Sequence, residues 1–296
     1  MILEEILQTR RQFLTSAIAC SAMAAFAPEI FAEEPWPPLG VQLYTVRQQA
    51  QSDLPGVLAA IRKIGYTTVE TFAGQYKVPA AQLRKAVADA GLKLPSGHFS
   101  YGDFGDKFDY AKQLGVHYMV CSSVPESLGN SLDGFKHAAD QYNKWGEKAQ
   151  SMGMQFAFHN HNSEFQTYDG ATGIATLLKN TDPKLVQWQM DCYWVAQAGR
   201  DPVKMLHEYS GRVSTLHLKD RKAGAAPSVT LGKQAQHFTE VGNGTLHWRH
   251  ILRAGRKEGV RYMFVEQDIT ERPPLESLQI SYTNLQKFMH GSRMHI

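Results

Sequence analysis

The segment Gln155-Phe-Ala-Phe-His159-Asn-His161-Asn-Ser-Glu164-Phe165 runs from an apolar stretch into a cluster of metal-capable side chains. Its first half has the length and composition of a short buried strand, in which alternate residues share a face. His159 and His161 are therefore expected to point the same way, with Glu164 within reach on the following loop. Two histidines at one strand end are as readily structural as functional, but the pattern recurs. Val186-Gln-Trp-Gln-Met-Asp191, Val213-Ser-Thr-Leu-His217 and Tyr262-Met-Phe-Val-Glu266 are also apolar runs ending in a nitrogen or oxygen ligand. Four such ends, separated by helix-length spacers, point to one shared metal site.

Upstream, residues 40–45, 67–70, 94–98 and 118–121 read as four more short strands. Amphipathic or capped helices are expected between and after the eight strands, over residues 54–64, 80–90, 108–114, 132–152, 172–178, 202–209, 248–258 and 275–289. Gly65, Gly91, Gly115, Gly153 and Gly259 close five of them, and Asp201-Pro202 has the N-cap and first-turn residues of a sixth. Strands apolar on both faces, each followed by a helix, belong to a parallel sheet covered by helices. Eight such units predict a single closed (β/α)8 TIM barrel, and no glycine-rich fingerprint follows the first strand to favour an open nucleotide-binding sheet. Every strand then ends on one face. The polar residues there are Gln42, Tyr44, Glu70, His98, His159, His161, Asp191, His217 and Glu266, with capping of the strand ends as the alternative role for any one of them.

The 296 residues carry 43% hydrophobic and 20% charged side chains, enough for one large core. A net charge of +3 with dispersed Lys and Arg implies no nucleic-acid partner. Thr9-Arg10-Arg11-Gln12-Phe13-Leu14 precedes an apolar small-residue run over residues 17–27, as in a twin-arginine export signal. Residues 1–32 are expected to be that signal, cut near Ala32, leaving 33–296 as the barrel domain in the periplasm. A lipoprotein signal ending at Cys20 is a weaker alternative. No later segment is apolar and long enough to span a membrane. Cys121 and Cys192 are too few for a disulfide framework and are expected as buried filler. The oligomeric state is left open.

The segments Gly40-Val-Gln-Leu-Tyr-Thr-Val-Arg47, Gly65-Tyr-Thr-Thr-Val-Glu70, His159-Asn-His161, Asp191-Cys-Tyr-Trp194, Ala198-Gly-Arg-Asp-Pro202, His217-Leu-Lys-Asp220, Val241-Gly-Asn-Gly244 and Val265-Glu266 occur in the order and positions of one family. The chain resembles the xylose isomerase-like TIM barrels, the sugar phosphate isomerase/epimerase group that also contains inosose dehydratases and endonuclease IV. In ketose epimerases of this group a divalent metal is held by Glu, Asp, His and Glu at the ends of strands five to eight. The resemblance places His159, Asp191, His217 and Glu266 in those positions, with His159 replacing a carboxylate and His161 as the alternative fifth-strand ligand. A mixed imidazole and carboxylate site suits Mn, Co, Ni, Fe or Zn better than Ca.

Such a site fits proton abstraction beside a carbonyl of a small carbohydrate, the metal stabilising an enediolate. Glu266 is the candidate base, His161 or Glu164 the acid on the other side, and Lys219 an oxyanion stabiliser or else a solvated loop lysine. Glu70 and His98 are expected to bind sugar hydroxyls. Trp194, Tyr44 and Phe165 form either an apolar wall against the sugar ring or strand-end packing. The insertion over residues 219–239 is a candidate lid. The leading expectation is a metal-dependent isomerase or epimerase. A lyase or dehydratase using the same enolate on a keto-sugar, keto-glycoside or inosose is second, favoured by the loss of the fifth-strand carboxylate. A non-catalytic sugar-binding protein is a third, opposed by Asp191, His217 and Glu266. A DNA-repair endonuclease would need more ligands for three metals.

Overall fold

The strands that alternate with helices in the sequence close on themselves. The computed structural model describes residues 35–232 and 237–291, so the expected export signal lies outside the described residues. The barrel strands are β1 Leu39–Gln42, β2 Thr68–Thr71, β3 Lys93–Phe99, β4 Tyr118–Cys121, β5 Gln155–His159, β6 Val186–Asp191, β7 Val213–Leu218 and β8 Tyr262–Val265. Each pairs in parallel with its sequence neighbours, and β8 returns to β1 with Val265 opposite Val41. The single (β/α)8 barrel is thus the observed fold. Every residue of β1, β2, β4 and β7 is buried, as expected of strands covered on both faces.

The helices are α1 Arg47–Ser52, α2 Leu54–Ile64, α3 Ala80–Asp89, α4 Phe108–Leu114, α5 Leu132–Ser151, α6 Gly173–Asn180, α7 Cys192–Gln197, α8 Pro202–Glu208, α9 Trp248–Lys257 and α10 Pro274–His290. Local chemistry sets their starts. Asp53 accepts from the Gly56 N–H, Ser131 from Gly134, and Asp201 from Val203. Gly65 and Gly115 stop α2 and α4 with φ of 124° and 82°, a region that a side chain would strain.

Two departures from expectation matter for the site. The first strand ends at Gln42 rather than at residue 45, because the Gln42 side chain accepts from the Tyr44 N–H and turns the chain into a 3-10 turn, Leu43–Val46. Tyr44 is thereby lifted to the barrel mouth, 37% exposed. Directly after β6, Asp191 caps the unexpected short helix α7 by accepting from Trp194 N. Nearly all of α7 is buried, so it has no polar face and no helical periodicity for the sequence to show. Cys121 and Cys192 are both buried free thiols.

The insertion after β7 is tied down at both ends. Asp220–Arg221 pairs antiparallel with Phe238–Thr239. Asp220, fully buried, accepts from the backbone N–H groups of Gly242, Gly244 and Leu246 and from Trp248 Nε1. A Cβ on Gly244 would lie 2.2 Å from an Asp220 oxygen, so glycine is needed for this approach. This links the His217-Leu-Lys-Asp220 and Val241-Gly-Asn-Gly244 segments across the β7–β8 connection.

Candidate active site

The barrel interior near the strand ends holds a carboxylate that five strands share. Glu70 on β2 is fully buried. It accepts from Gln42 Nε2 at 2.9 Å, from Gln189 Nε2 at 2.8 Å, from Ser96 Oγ, and from His217 Nε2 at 2.5 Å. Register brings these groups together: Gln42 stands opposite Glu70, and Glu70 opposite Ser96, on adjacent strands. Burial alone would raise the Glu70 pKa, but His98 and His217 outweigh it and hold the carboxyl below its ordinary value. Glu70 therefore sits beneath the cavity floor as the anchor of His217, and the expectation that it binds sugar hydroxyls is corrected.

His217 uses its two ring nitrogens differently. Nε2 meets Glu70; Nδ1 lies 2.8 Å from Glu266 Oε2 and 3.9 Å from Asp191 Oδ2. Two flanking carboxylates overcome burial and push the His217 pKa up to about 10. Asp191 stands opposite His217 in the strand register. Its Oδ1 caps α7, while its buried Oδ2 makes no hydrogen bond and faces His159 Nε2 at 3.8 Å. Two triads thus have ligand atoms within 4.8 Å of one another, Asp191–His217–Glu266 and His98–His159–His217.

This arrangement fits the expected divalent metal. Asp191 Oδ2, buried without a hydrogen bond and ion-paired only with Lys219 and the flanking histidines, stands with His217 and Glu266 in one triad, His217 shares a second with His98 and His159, and the mixed donor set is one that first-row transition ions favour. Burial depresses the His159 pKa well below the ordinary histidine value and His161 to about 3, with His217 and Lys219 respectively adding to it. Both rings are therefore neutral near pH 7, as ligation requires. His159, Asp191, His217 and Glu266 would hold the ion, with Glu70 fixing the His217 tautomer from behind. His161 lies past the end of β5, its ring 5.1 Å from His159 and 5.2 Å from Trp194, and of the two fifth-strand candidates His159 is the one that belongs to a triad. Glu70→Gln keeps the side-chain shape but weakens the anchor. It is expected to reduce affinity for Zn or Mn by about 10–100-fold, measured by titration calorimetry; unchanged affinity would remove Glu70 from this role.

Lys219 is the residue whose surroundings were hardest to foresee. Only 2% of its side chain is exposed, and Nζ lies 2.7 Å from Glu266, 2.8 Å from Asp268 and 3.1 Å from Asp191. Burial opposes its charge, but three carboxylates raise its pKa well above the ordinary lysine value. One ammonium cannot neutralise three carboxylates. Burial raises Asp191 and Asp268, whereas at Glu266 burial is outweighed by Lys219 and His217 and the carboxyl is held low. The solvated-lysine alternative is thereby excluded.

Above this floor opens a cavity of about 520 Å³, within the usual range for small-molecule sites. Gln42, Tyr44, His98, His159, His161, Trp194, Lys219 and Glu266 all line it. Gln42 has its amide committed to Glu70 and Tyr44 N, which leaves it a shaping role. Glu164 does not line the cavity. It is 2% exposed and braces the loop after β5 by accepting from His161 N and Ser163 Oγ, which corrects its assignment as a catalytic acid. Phe165 is core, 3% exposed. Sequence reasoning missed Asp268, Ser122 and Ser123, which line the cavity, and Gln189, which bridges His98, His159 and Glu70. Asp268 and the serines lie beyond their strand ends, and Gln189 sits inside an apolar run, so none carried a strand-end signal.

Residues 58–281 match the family model of the xylose isomerase-like TIM barrel. The chain belongs to the xylose isomerase-like TIM barrel family. Within that family it is 27% identical over 229 residues to an inosose dehydratase of Clostridium beijerinckii, covering 66% of this chain and 76% of the relative. A sugar phosphate isomerase/epimerase from Parabacteroides distasonis superposes with a TM-score of 0.71 at 24% identity, covering 88% of this chain and 99% of the other. The IOLI protein, solved with a bound zinc atom, has a TM-score of 0.66 at 14% identity over 85% of this chain and 97% of its own. The family thus includes isomerase, epimerase and dehydratase members. Among the described residues no helix is long and apolar enough to cross a membrane.

Proposed function

We propose that this family member is a metal-dependent lyase that eliminates a β-leaving group from a keto-polyol or keto-sugar. The observation that carries the reading is the pairing of Glu266 and Lys219, a carboxylate and an ammonium 2.7 Å apart at the cavity floor, with no carboxylate on the fifth strand opposite. Epimerisation needs a proton-accepting group on each face of the substrate. Elimination needs one base and one acid, which neighbouring strands β7 and β8 supply from one side. The likeness to inosose dehydratases supports the same choice, and it moves the second of the sequence expectations ahead of the first.

A bound divalent metal would supply Lewis-acid polarisation of the substrate carbonyl. The protein's own groups do the rest. Glu266, kept ionised by Lys219 and His217, takes the proton from the carbon beside the carbonyl. Lys219 gives a proton to the departing oxygen, and Asp268 holds the ammonium at the floor. His98, Ser122 and Ser123 face the cavity as hydroxyl partners, and Trp194 supplies an apolar wall. The isomerase reading keeps one specific support: the neutral His161 ring also faces the cavity and could serve as a second base.

Incubation of the metal-loaded protein with keto-inositols and keto-sugars in heavy water separates the readings. Loss of water and appearance of a conjugated enone is the expected result. A deuterated product of unchanged composition would establish isomerisation instead. No solvent exchange from any substrate, with metal fully bound, would refute both.

A further inference from the structure

Gln189 has no part in the chemistry proposed above, yet three titratable groups meet on its side chain. It is fully buried on β6. Strand alternation puts it on the same face as Asp191, two residues deeper in the barrel. The register sets it opposite His159 on β5. Its Nε2 lies 2.8 Å from Glu70 Oε1. Its Oε1 meets His98 Nε2 and lies 3.3 Å from His159 Nδ1.

The direction of each proton in this cluster follows from Glu70. An ionised carboxylate only accepts, so the Gln189 amide turns its NH2 toward Glu70. The amide oxygen is then left facing both imidazoles, and it has no proton to give. His98 donates to it through Nε2 and His159 through Nδ1. Glu70 Oε2, 3.3 Å from His98 Nε2, holds the His98 proton from a second side. One amide oxygen thus imposes opposite tautomers on two rings.

For His159 the consequence reaches the metal site. With the proton on Nδ1, the lone pair is on Nε2, the nitrogen that lies 3.8 Å from Asp191 Oδ2. That spacing is too long for a hydrogen bond. It suits two ligands of one ion at about 2.0–2.2 Å each. A ring with its proton on Nε2, the form that neutral histidine prefers in water, would have to release it or turn over before ligating. We propose that Gln189 is a positioning residue that sets the His159 tautomer, passing the acceptor character of Glu70 to the ring so that Nε2 is presented to the metal unprotonated. Glu70 then serves two imidazoles by separate routes, His217 directly and His159 through Gln189. The step from tautomer to ligation rests on the metal reading of the site; the tautomer itself does not.

The tautomers are read in metal-free protein carrying ¹⁵N-labelled histidine, from long-range ¹H–¹⁵N correlations. Signals are assigned by their loss in His98→Gln and His159→Gln. In wild type, His159 is expected as the Nδ1–H form and His98 as the Nε2–H form. Gln189→Met keeps the length of the side chain and removes both of its hydrogen-bonding groups. In that variant His159 should revert to Nε2–H, while His98, still beside Glu70, keeps its proton on Nε2. Zn affinity, measured by titration calorimetry, should fall by about 10–100-fold. A Gln189 that served packing alone would lower the melting temperature of the variant and leave the His159 tautomer as it was. An Nε2–H His159 in wild type, a His159 tautomer that survives in the folded Met variant, or undiminished Zn binding by that variant would each overturn the proposal. The wild-type spectrum decides the tautomer even if Gln189→Met does not fold. If His159 reverts as expected while neither protein binds Zn, the role of Gln189 stands and the metal reading falls.

Discussion

Asp191→Asn is expected to leave a folded barrel that no longer retains its divalent metal. The two oxygens of Asp191 have separate tasks. Oδ1 caps α7 through Trp194 N, and Oδ2 points without a hydrogen bond toward His159, His217 and Lys219. An asparagine oxygen can keep the cap, which is worth about 1 kcal/mol, while the amide removes the negative charge from the triad. Metal affinity should fall by more than about 100-fold, since a direct ligand contributes more than the outer partners whose loss costs 10–100-fold. Asp191→Ala removes both functions, so it should lose the metal and also melt at a lower temperature than the Asn variant. Metal content after dialysis, read beside the melting temperature, checks the pair. An Asn variant that holds a full complement of metal would exclude Asp191 as a ligand.

Glu266→Gln is expected to abolish proton exchange from a keto-substrate, by about 10²–10⁴-fold if Glu266 is the base. The carboxylate lies 2.7 Å from Lys219 and 2.8 Å from His217, and Lys219, with His217 adding to it, outweighs burial and holds the carboxyl low. Glutamine keeps the shape but cannot accept a proton at neutral pH. Because Glu266 is also a candidate ligand, the comparison must be made at saturating metal, with occupancy measured in the same sample. Substrate binding at full occupancy should persist while exchange disappears. Exchange at the wild-type rate in the loaded variant would move the base to His161, the other proton acceptor on the cavity wall.

Much of this protein is legible without coordinates because its strands and helices are local events. An apolar run of four to six residues followed by a capped amphipathic segment reads the same way wherever it lies, and the eight runs fell close to the observed strands. The strand-end residues His159, Asp191, His217 and Glu266 were readable for the same reason. In a parallel barrel every strand delivers its last residue to one face. The family model and the closed sheet agree with that reading.

Other features depend on closure of the barrel, which no local pattern encodes. Glu70 looked like a sugar-binding carboxylate, but the closed sheet surrounds it with Gln42, Ser96, Gln189 and His217 from four other strands. Lys219 sits in a sequence that reads equally as loop. Only the approach of β6 and the residues after β8 gives its ammonium three carboxylates. Glu164 was near the right place in sequence, yet the tight turn after β5 directs it to its own backbone. The sequence alone thus determined the architecture and the strand-end donors, since periodicity and chain order suffice for both. Which donors share a centre, which carboxylate braces which imidazole, and whether a charge faces solvent or a cavity were decided by tertiary structure, because each depends on distances across the barrel between residues dozens to hundreds of positions apart.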